Sequence, residues 1–523
     1  MSDLNNTSNP SLKKYKLGVF AAVGMIYSLT AAGAYGIEDM IPVSGPGMVL
    51  ALLLIIPIFW AFPQAFANAE MGSAYPVEGG PYKWIQDTQG EFWSFQFGWW
   101  RTVGGYLNTV SYVVLAAAYL ASALSLSGTQ EYIVKILIIL VFTIINLRGI
   151  HEVAIVNTVI SVCILIAFAL VAIVGFMHMN QSPVQPFIPE GQGVVESIGY
   201  GLAIGMWMYG GWEAMGLMGG ELENPQVIPK ALLISVPLIM ATYIIPTLAG
   251  LGSVGQWESW GSEGVSYYNV LLQYAPGAIA AFFVFIAVIS NMSLFNSYLA
   301  STSRGFFVMA ADNLFPKPLV KVSKNKGVPY VGIISVAVVS FLVCQFSFTT
   351  LVMMTVTMSL FTQPLIQLAG ILRRKRKTYE DGPYKFKVSD SVATFYFALP
   401  CIVALLAFYL NGSECFIYGN IGVISGPIAY FLIKRVMGGL NKIDPIKYPL
   451  NNATGMNPGD LKRIGFLLIV LAVLGILGMI YFPIFEGAAG GIMTAINVYT
   501  VVCVVLGVII YALAVKKDQG KVF

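Results

Sequence analysis

Charge is what this chain has least of. Lys, Arg, Asp and Glu make up 10% of its 523 residues, against 57% hydrophobic residues. Soluble domains carry about a quarter charged residues, so a water-soluble fold is excluded. Histidine is scarcer still: His151 and His178, both near segment ends, supply no metal site and no His-dependent triad. The five cysteines (Cys163, Cys344, Cys401, Cys415, Cys503) lie in or beside apolar segments without metal-ligand spacing. They read as small core residues rather than disulfides. The 53 glycines form no phosphate-binding loop pattern, which leaves ATP-driven chemistry without a site. No short apolar stretch with a small-residue cleavage site opens the chain, so the first apolar segment reads as an uncleaved span.

What the chain has instead is apolar length. Fourteen segments able to cross a bilayer start near residues 17, 46, 92, 131, 154, 194, 231, 277, 329, 349, 392, 416, 464 and 492. The third and eighth exceed about 25 residues and are expected to tilt or protrude. Nothing between the segments is long enough for a second core, so the expected fold is an all-α integral membrane protein. Loops after even-numbered spans carry Lys83, Arg148, Lys230, Lys317, Lys321, Lys324, Lys326, Arg373 to Lys377, Lys434, Arg435, Lys442, Lys447, Lys462 and Arg463. Opposite loops carry Glu190, Glu258, Glu263, Glu414 and Glu486; Lys135 is the exception. The positive-inside rule then predicts both termini, with Lys516 and Lys517, in the cytoplasm of a multi-pass plasma-membrane protein.

Two of these segments are interrupted by glycine. The first break runs Ala31-Ala32-Gly33-Ala34-Tyr35-Gly36, and the second Tyr209-Gly210-Gly211-Trp212-Glu213. A helix broken in lipid leaves backbone groups that hydrocarbon cannot satisfy, so such breaks persist only where protein or a cavity supplies partners. Paired breaks in spans one and six imply a five-plus-five inverted repeat with a substrate site near the midplane. The expected division is a tail at 1–16, a ten-helix transport core at 17–373, and four accessory helices with a short tail at 374–523. Freed N–H groups of Ala31, Ala32 and Gly33 at a half-helix N-terminus favour an anionic group such as a carboxylate. Carbonyls near Leu29 would face an ammonium. A glycine-lined packing contact between helices is the other reading of the first break.

The stretches AYGIEDM (Ala34 to Met40), AEMGSAYPVEGGPYKW (Ala69 to Trp84), GGWEAMGLMGGELENPQVIPKAL (Gly210 to Leu232), SNMSLF (Ser290 to Phe295) and MAADNLFPKPL (Met309 to Leu319) resemble the amino acid–polyamine–organocation (APC) superfamily, in particular its polyamine and neutral amino acid uptake branch. The resemblance spans the first ten segments in order. Members typically have twelve spans, so the extra pair here departs from the pattern. Likeness to bacterial arginine–agmatine exchangers implies Trp207 as a gate or stacking wall, Gly210 as a carbonyl contact, Glu213 as a proton-responsive switch and Tyr298 as a substrate-stacking ring. Polyamine-carrying relatives tend to have acids where this chain has Asn296 and Tyr298, which favours a zwitterionic amino acid or a monoamine. Some proton-coupled relatives carry a lysine midway along span five; Val159 to Ala167 reads VISVCILIA and has none.

Several other polar residues sit at membrane depth. A carboxylate there is costly unless paired or protonated, so Glu213 is either a switch or a protonated bridge. Asn108, Thr109, Asn291, Phe295 and Tyr298 are candidate substrate contacts, or partners of a neighbouring helix. Tyr35 and Glu38 are gate candidates; Glu38 and Asp39 either draw an amine into an outer vestibule or are solvated there. Glu221 to Pro225 reads as a helix-end and gating element. No cofactor, metal site or catalytic set is expected, hence no enzyme, and no nucleic-acid partner. The expected function is secondary active transport of a small amino acid or its amine derivative, by exchange, with lipid around it and a monomer or homodimer as the assembly. Proton- or sodium-coupled symport, with Ser301 and Thr302 as possible sodium ligands, and a passive facilitator are the alternatives.

Overall fold

The computed structural model describes residues 18–31, 33–75, 77, 79–148, 153–213, 227–261, 264–323, 328–375 and 386–517. Ala32, Glu221 to Pro225, Glu263, Lys324, Lys326, Arg376, Lys377, His151 and both tails lie outside the described residues. Among those described, the structure is helical, with two isolated β-bridges and no sheet.

In chain order the helices are α1 Val19–Thr30, α2 Pro46–Ala74, α3 Gly80–Gln89, α4 Glu91–Leu124, α5 Gly128–Arg148, α6 Val153–Met177, α7 Val194–Met208, α8 Val227–Ser253, α9 Tyr267–Tyr274, α10 Gly277–Thr302, α11 Gly305–Ala311, α12 Tyr330–Val343, α13 Phe348–Lys375, α14 Asp390–Leu410, α15 Ser413–Met437, α16 Asp460–Phe485 and α17 Gly491–Lys517. Every one of the fourteen expected starts meets a helix, the largest offset being four residues at Val227 and Asp460. Among the described residues, eleven helices are long and apolar enough to cross a membrane. Three apolar helices are shorter: α1 and α7, which stop at the glycine breaks, and α12.

Sequence chemistry sets the helix limits. α4 is bracketed by Gly90 at φ 91° and Ser125 in the left-handed region. Its 34 residues span about 51 Å, well beyond the roughly 30 Å hydrocarbon layer. It forms the axis of the bundle, packing against α10, α13, α5 and α15. In α2, Pro57 opens a π-helical stretch, Pro57–Ala61. Pro57 has no N–H for the Leu53 carbonyl four residues earlier. The Tyr209 hydroxyl donates to that carbonyl instead, at 2.9 Å, which docks the second break on the α2 kink.

Outward-facing positions are apolar. α6 exposes Val159, Ile166 and Ile173, α14 exposes Leu405 and Leu406, and α17 exposes Val501 and Val505. Such a belt on so many helices requires lipid as its solvent. At one end of the bundle lie the ion pairs Lys83 with Asp312, Arg374 with Glu70 and Asp390, and Lys434 with Glu91, which join separate elements, and Arg463 with Asp460 within α16. The basic loops of the sequence therefore gather at one face.

Candidate functional site

Helices α1 and α7 end at the two glycine stretches. α1 ends at Thr30, and the Ala31 N–H donates to the Tyr27 carbonyl at 2.9 Å. Ala31 is thus the last donor of α1, not one of the free N–H groups expected of it. Gly33 follows at φ 105° and Gly36 at φ 95°, conformations that a side chain strongly disfavours. The chain then makes a 3-10 turn, Ile37–Met40, and a single α-turn, Ile41–Ser44, before α2. α7 ends at Met208, and Gly211 sits at φ 93°. Residues 214–226 lie outside the described set, so the course of the chain beyond Glu213 is not part of this picture.

The backbone groups freed at the breaks have protein partners. The Met208 carbonyl accepts from the Tyr243 hydroxyl at 3.0 Å, and the Tyr209 carbonyl from Trp212 Nε1 at 2.7 Å. The Gly36 N–H donates to Glu38 Oε2 at 2.9 Å, while the Tyr119 hydroxyl donates to Glu38 Oε1. Glu38 is fully buried. That corrects the expectation of a vestibule or solvated residue: its carboxylate holds the broken backbone together from inside. Tyr35 packs edge-on to Tyr119 at 5.2 Å between ring centroids, with Phe168 at 4.9 Å and Phe283 at 6.0 Å. An aromatic plug therefore closes this side of the first break.

A second aromatic group lies at the end of α7. Trp207 Nε1 donates to Asn108 Oδ1 at 2.6 Å, and the indole lies 5.6 Å from Tyr112 and 5.2 Å from Phe348. Tyr112 stacks on Tyr298 at 5.1 Å and 18°. The Tyr298 side chain lies among Tyr112, Asn108, Arg101 and Glu213. Arg101 Nη1 meets Glu213 Oε1 at 2.5 Å, with side-chain exposures of 37% and 3%. Glu213 Oε2 is buried and has no hydrogen-bond partner, and the same holds for the Thr30 hydroxyl. The arrangement offers π faces, one open carboxylate oxygen and a guanidinium that reaches solvent.

The fold thus brings together Asn108, Trp207, Glu213 and Tyr298 of the expected residues, with Gly210 half-buried beside them. Others turn elsewhere. The Thr109 hydroxyl donates to the Gly105 carbonyl at 2.7 Å and meets Thr302 at 3.3 Å, in the seam between α4 and α10. Asn291 donates to the Ala287 carbonyl of its own helix at 2.9 Å, and Phe295 packs on Phe142 of α5. Asn296 accepts from Asn146 at 2.7 Å. Thr109, Phe295 and Asn296 serve helix–helix contacts and Asn291 bonds within its own helix, each taking the nearest partner in the bundle. Leu29 lies in the last turn of α1, and Gly33 faces Phe168 and Tyr35. Sequence reasoning missed Arg101 and Tyr112. Arg101 carried a usable signal, since an arginine ten residues inside an apolar span is rare and marks a functional position by default. Tyr112 carried none.

Helices with apolar exteriors around two glycine breaks define a polytopic membrane transporter. Residues 17–436 match the amino acid permease family, and the chain belongs to it. It is a membrane transporter of the APC superfamily. A probable polyamine transporter of Arabidopsis thaliana is 26% identical over 84% of this chain and 87% of its own length. A polyamine transporter of Oryza sativa is 27% identical over 69% of this chain and 67% of its own. The branched-chain amino acid permease of Lactococcus lactis is 26% identical over 74% and 87%.

Proposed function

We propose that this permease is a secondary active exchanger that moves a small amino acid, its amine derivative, or both across the plasma membrane by alternating access. The observation that carries this reading is the meeting of Trp207, Tyr298 and Asn108 with the Arg101–Glu213 pair at the end of broken helix α7. The substrate ammonium sits against the ring faces and Glu213 Oε2, by cation–π attraction and charge. The substrate carboxylate sits on the backbone N–H groups of Ala32 and Gly33 at the first break. Ten spans form a five-plus-five inverted repeat, with four accessory spans after them and both termini cytoplasmic. The plugged side at Tyr35 and the partly exposed Arg101 support a state closed toward the outside. Names of relatives carrying polyamines and branched-chain amino acids fit an amine-bearing substrate.

Counterflow in proteoliposomes tests the proposal. Purified protein is loaded with one unlabelled amino acid or amine at a time, with labelled candidates outside and no ion gradient. Accumulation driven by one internal compound is the expected result. Uptake only under an imposed proton or sodium gradient would replace exchange with symport, and ungated flux without trans-stimulation would indicate a facilitator.

A further inference from the structure

At the end of the molecule opposite the ion-paired basic loops, the start of α7 meets the ends of α14 and α16 around a small crevice open to solvent. Glu196 comes from α7, Tyr409 and Asn411 from the end of α14, and Tyr481, Phe485 and Glu486 from the end of α16. The helices are held close here: Gly199 lies under the Leu410 carbonyl with no room for a Cβ. Asn411 is 3% exposed, and neither its Oδ1 nor its Nδ2 has a hydrogen-bond partner. A buried, unpaired carboxamide is costly, and this one stands on the wall of an open crevice.

The other walls say what would satisfy its oxygen. Glu486 is pinned by the Ser413 N–H at 2.9 Å and the Ser413 hydroxyl at 3.0 Å. Neither Glu486 nor Glu196 has a basic partner among the described residues. Tyr409 and Tyr481 lie 5.6 Å apart, and Tyr481 stacks on Phe485 at 4.8 Å. Two carboxylates repel an anion, and an apolar ligand would leave Asn411 unpaired. A bare divalent cation wants six or more oxygens, not aromatic walls. Carboxylates, π faces and an amide oxygen together suit a compact organic ammonium.

We propose that this crevice is a second site, binding an ammonium group and tying α7 to the accessory helices α14 and α16. Glu196 lies eleven residues from Trp207, about 16 Å along α7. An occupant therefore restrains the helix whose other end carries the break, and it slows transport without entering the central site. The ammonium comes either from a soluble amine or from a lipid headgroup.

The test is calorimetric titration of the full-length protein with ethylamine and with tetramethylammonium, in a Gly33→Val background that blocks the central site. One binding event is expected. Asn411→Leu should weaken it at least about tenfold and Glu196→Gln about threefold. Asn411→Leu removes an unpaired polar group, so it should fold; should Gly33→Val not fold, the same titration of the otherwise unmodified chain should lose one of two events with Asn411→Leu. Binding that is absent, or indifferent to Asn411→Leu, overturns the proposal. Repeating the titration in nanodiscs identifies the source. Amine binding lost in phosphatidylethanolamine but kept in phosphatidylglycerol assigns the site to a lipid headgroup; binding kept in both assigns it to a soluble amine. Counterflow intact with no crevice binding would remove this site alone and leave the exchanger reading standing.

Discussion

The Arg101–Glu213 pair is unequal, and the inequality can be measured. Glu213 is 3% exposed and Arg101 37%. Arg101→Met strands a carboxylate in the interior, where breaking a buried pair costs about 3 kcal/mol. Glu213→Gln strands an arginine that already reaches solvent, and a partly exposed pair is worth about 1 kcal/mol. The gap of about 2 kcal/mol is roughly a thirtyfold difference in the folded-to-unfolded ratio. Denaturant unfolding of the detergent-solubilised variants, with the double variant closing the cycle, reads it directly. In transport, Glu213→Gln should flatten the pH dependence while leaving the fold intact. Equal destabilisation by the two single variants would refute the reasoning, and an unchanged pH profile would take Glu213 out of any coupling role.

Three further outcomes follow from the geometry. Gly33→Val should abolish substrate binding: the backbone sits at φ 105°, and an added Cβ would lie 2.7 Å from the Tyr35 ring; retained affinity in a binding assay would move the site elsewhere. Trp207→Phe and Asn108→Leu should each raise the transport KM about fivefold by removing one 2.6 Å hydrogen bond of about 1 kcal/mol, and the pair should be non-additive; additive effects would mean that the bond is idle. Lys434→Met should destabilise the protein by about 3–5 kcal/mol, since it leaves fully buried Glu91 facing no cation, and Glu91→Gln in the same chain should recover much of that loss; a thermal unfolding midpoint unchanged by Lys434→Met would show that the pair does not hold α15 to α4.

Helix positions were legible because each follows from a local run of apolar residues. Starts at Pro46, Val194 and Gly277 fall where the apolar segments begin. The ends of α1 and α7 were legible as well, since Gly33, Gly36 and Gly211 occupy backbone conformations that glycine alone adopts without strain. What a side chain does after the helix forms was less so. Asn108 and Thr109 are neighbours of similar polarity, yet successive residues point about 100° apart on a helix. One faces Trp207 and the other the α10 seam. Glu38 read as a vestibule or solvated gate acid because its partner, Tyr119, is 81 residues away.

The sequence by itself therefore determined the solvent of this protein, the places where its helices run and stop, and the family to which it belongs, all of which depend on composition or on neighbouring residues. Only the tertiary structure decided which polar groups share a site. Arg101 finds Glu213, Tyr112 finds Tyr298, and Asn411 finds no partner at the edge of a crevice. Those outcomes depend on the rotation and packing of whole helices against one another, a property of contacts between residues far apart in the chain.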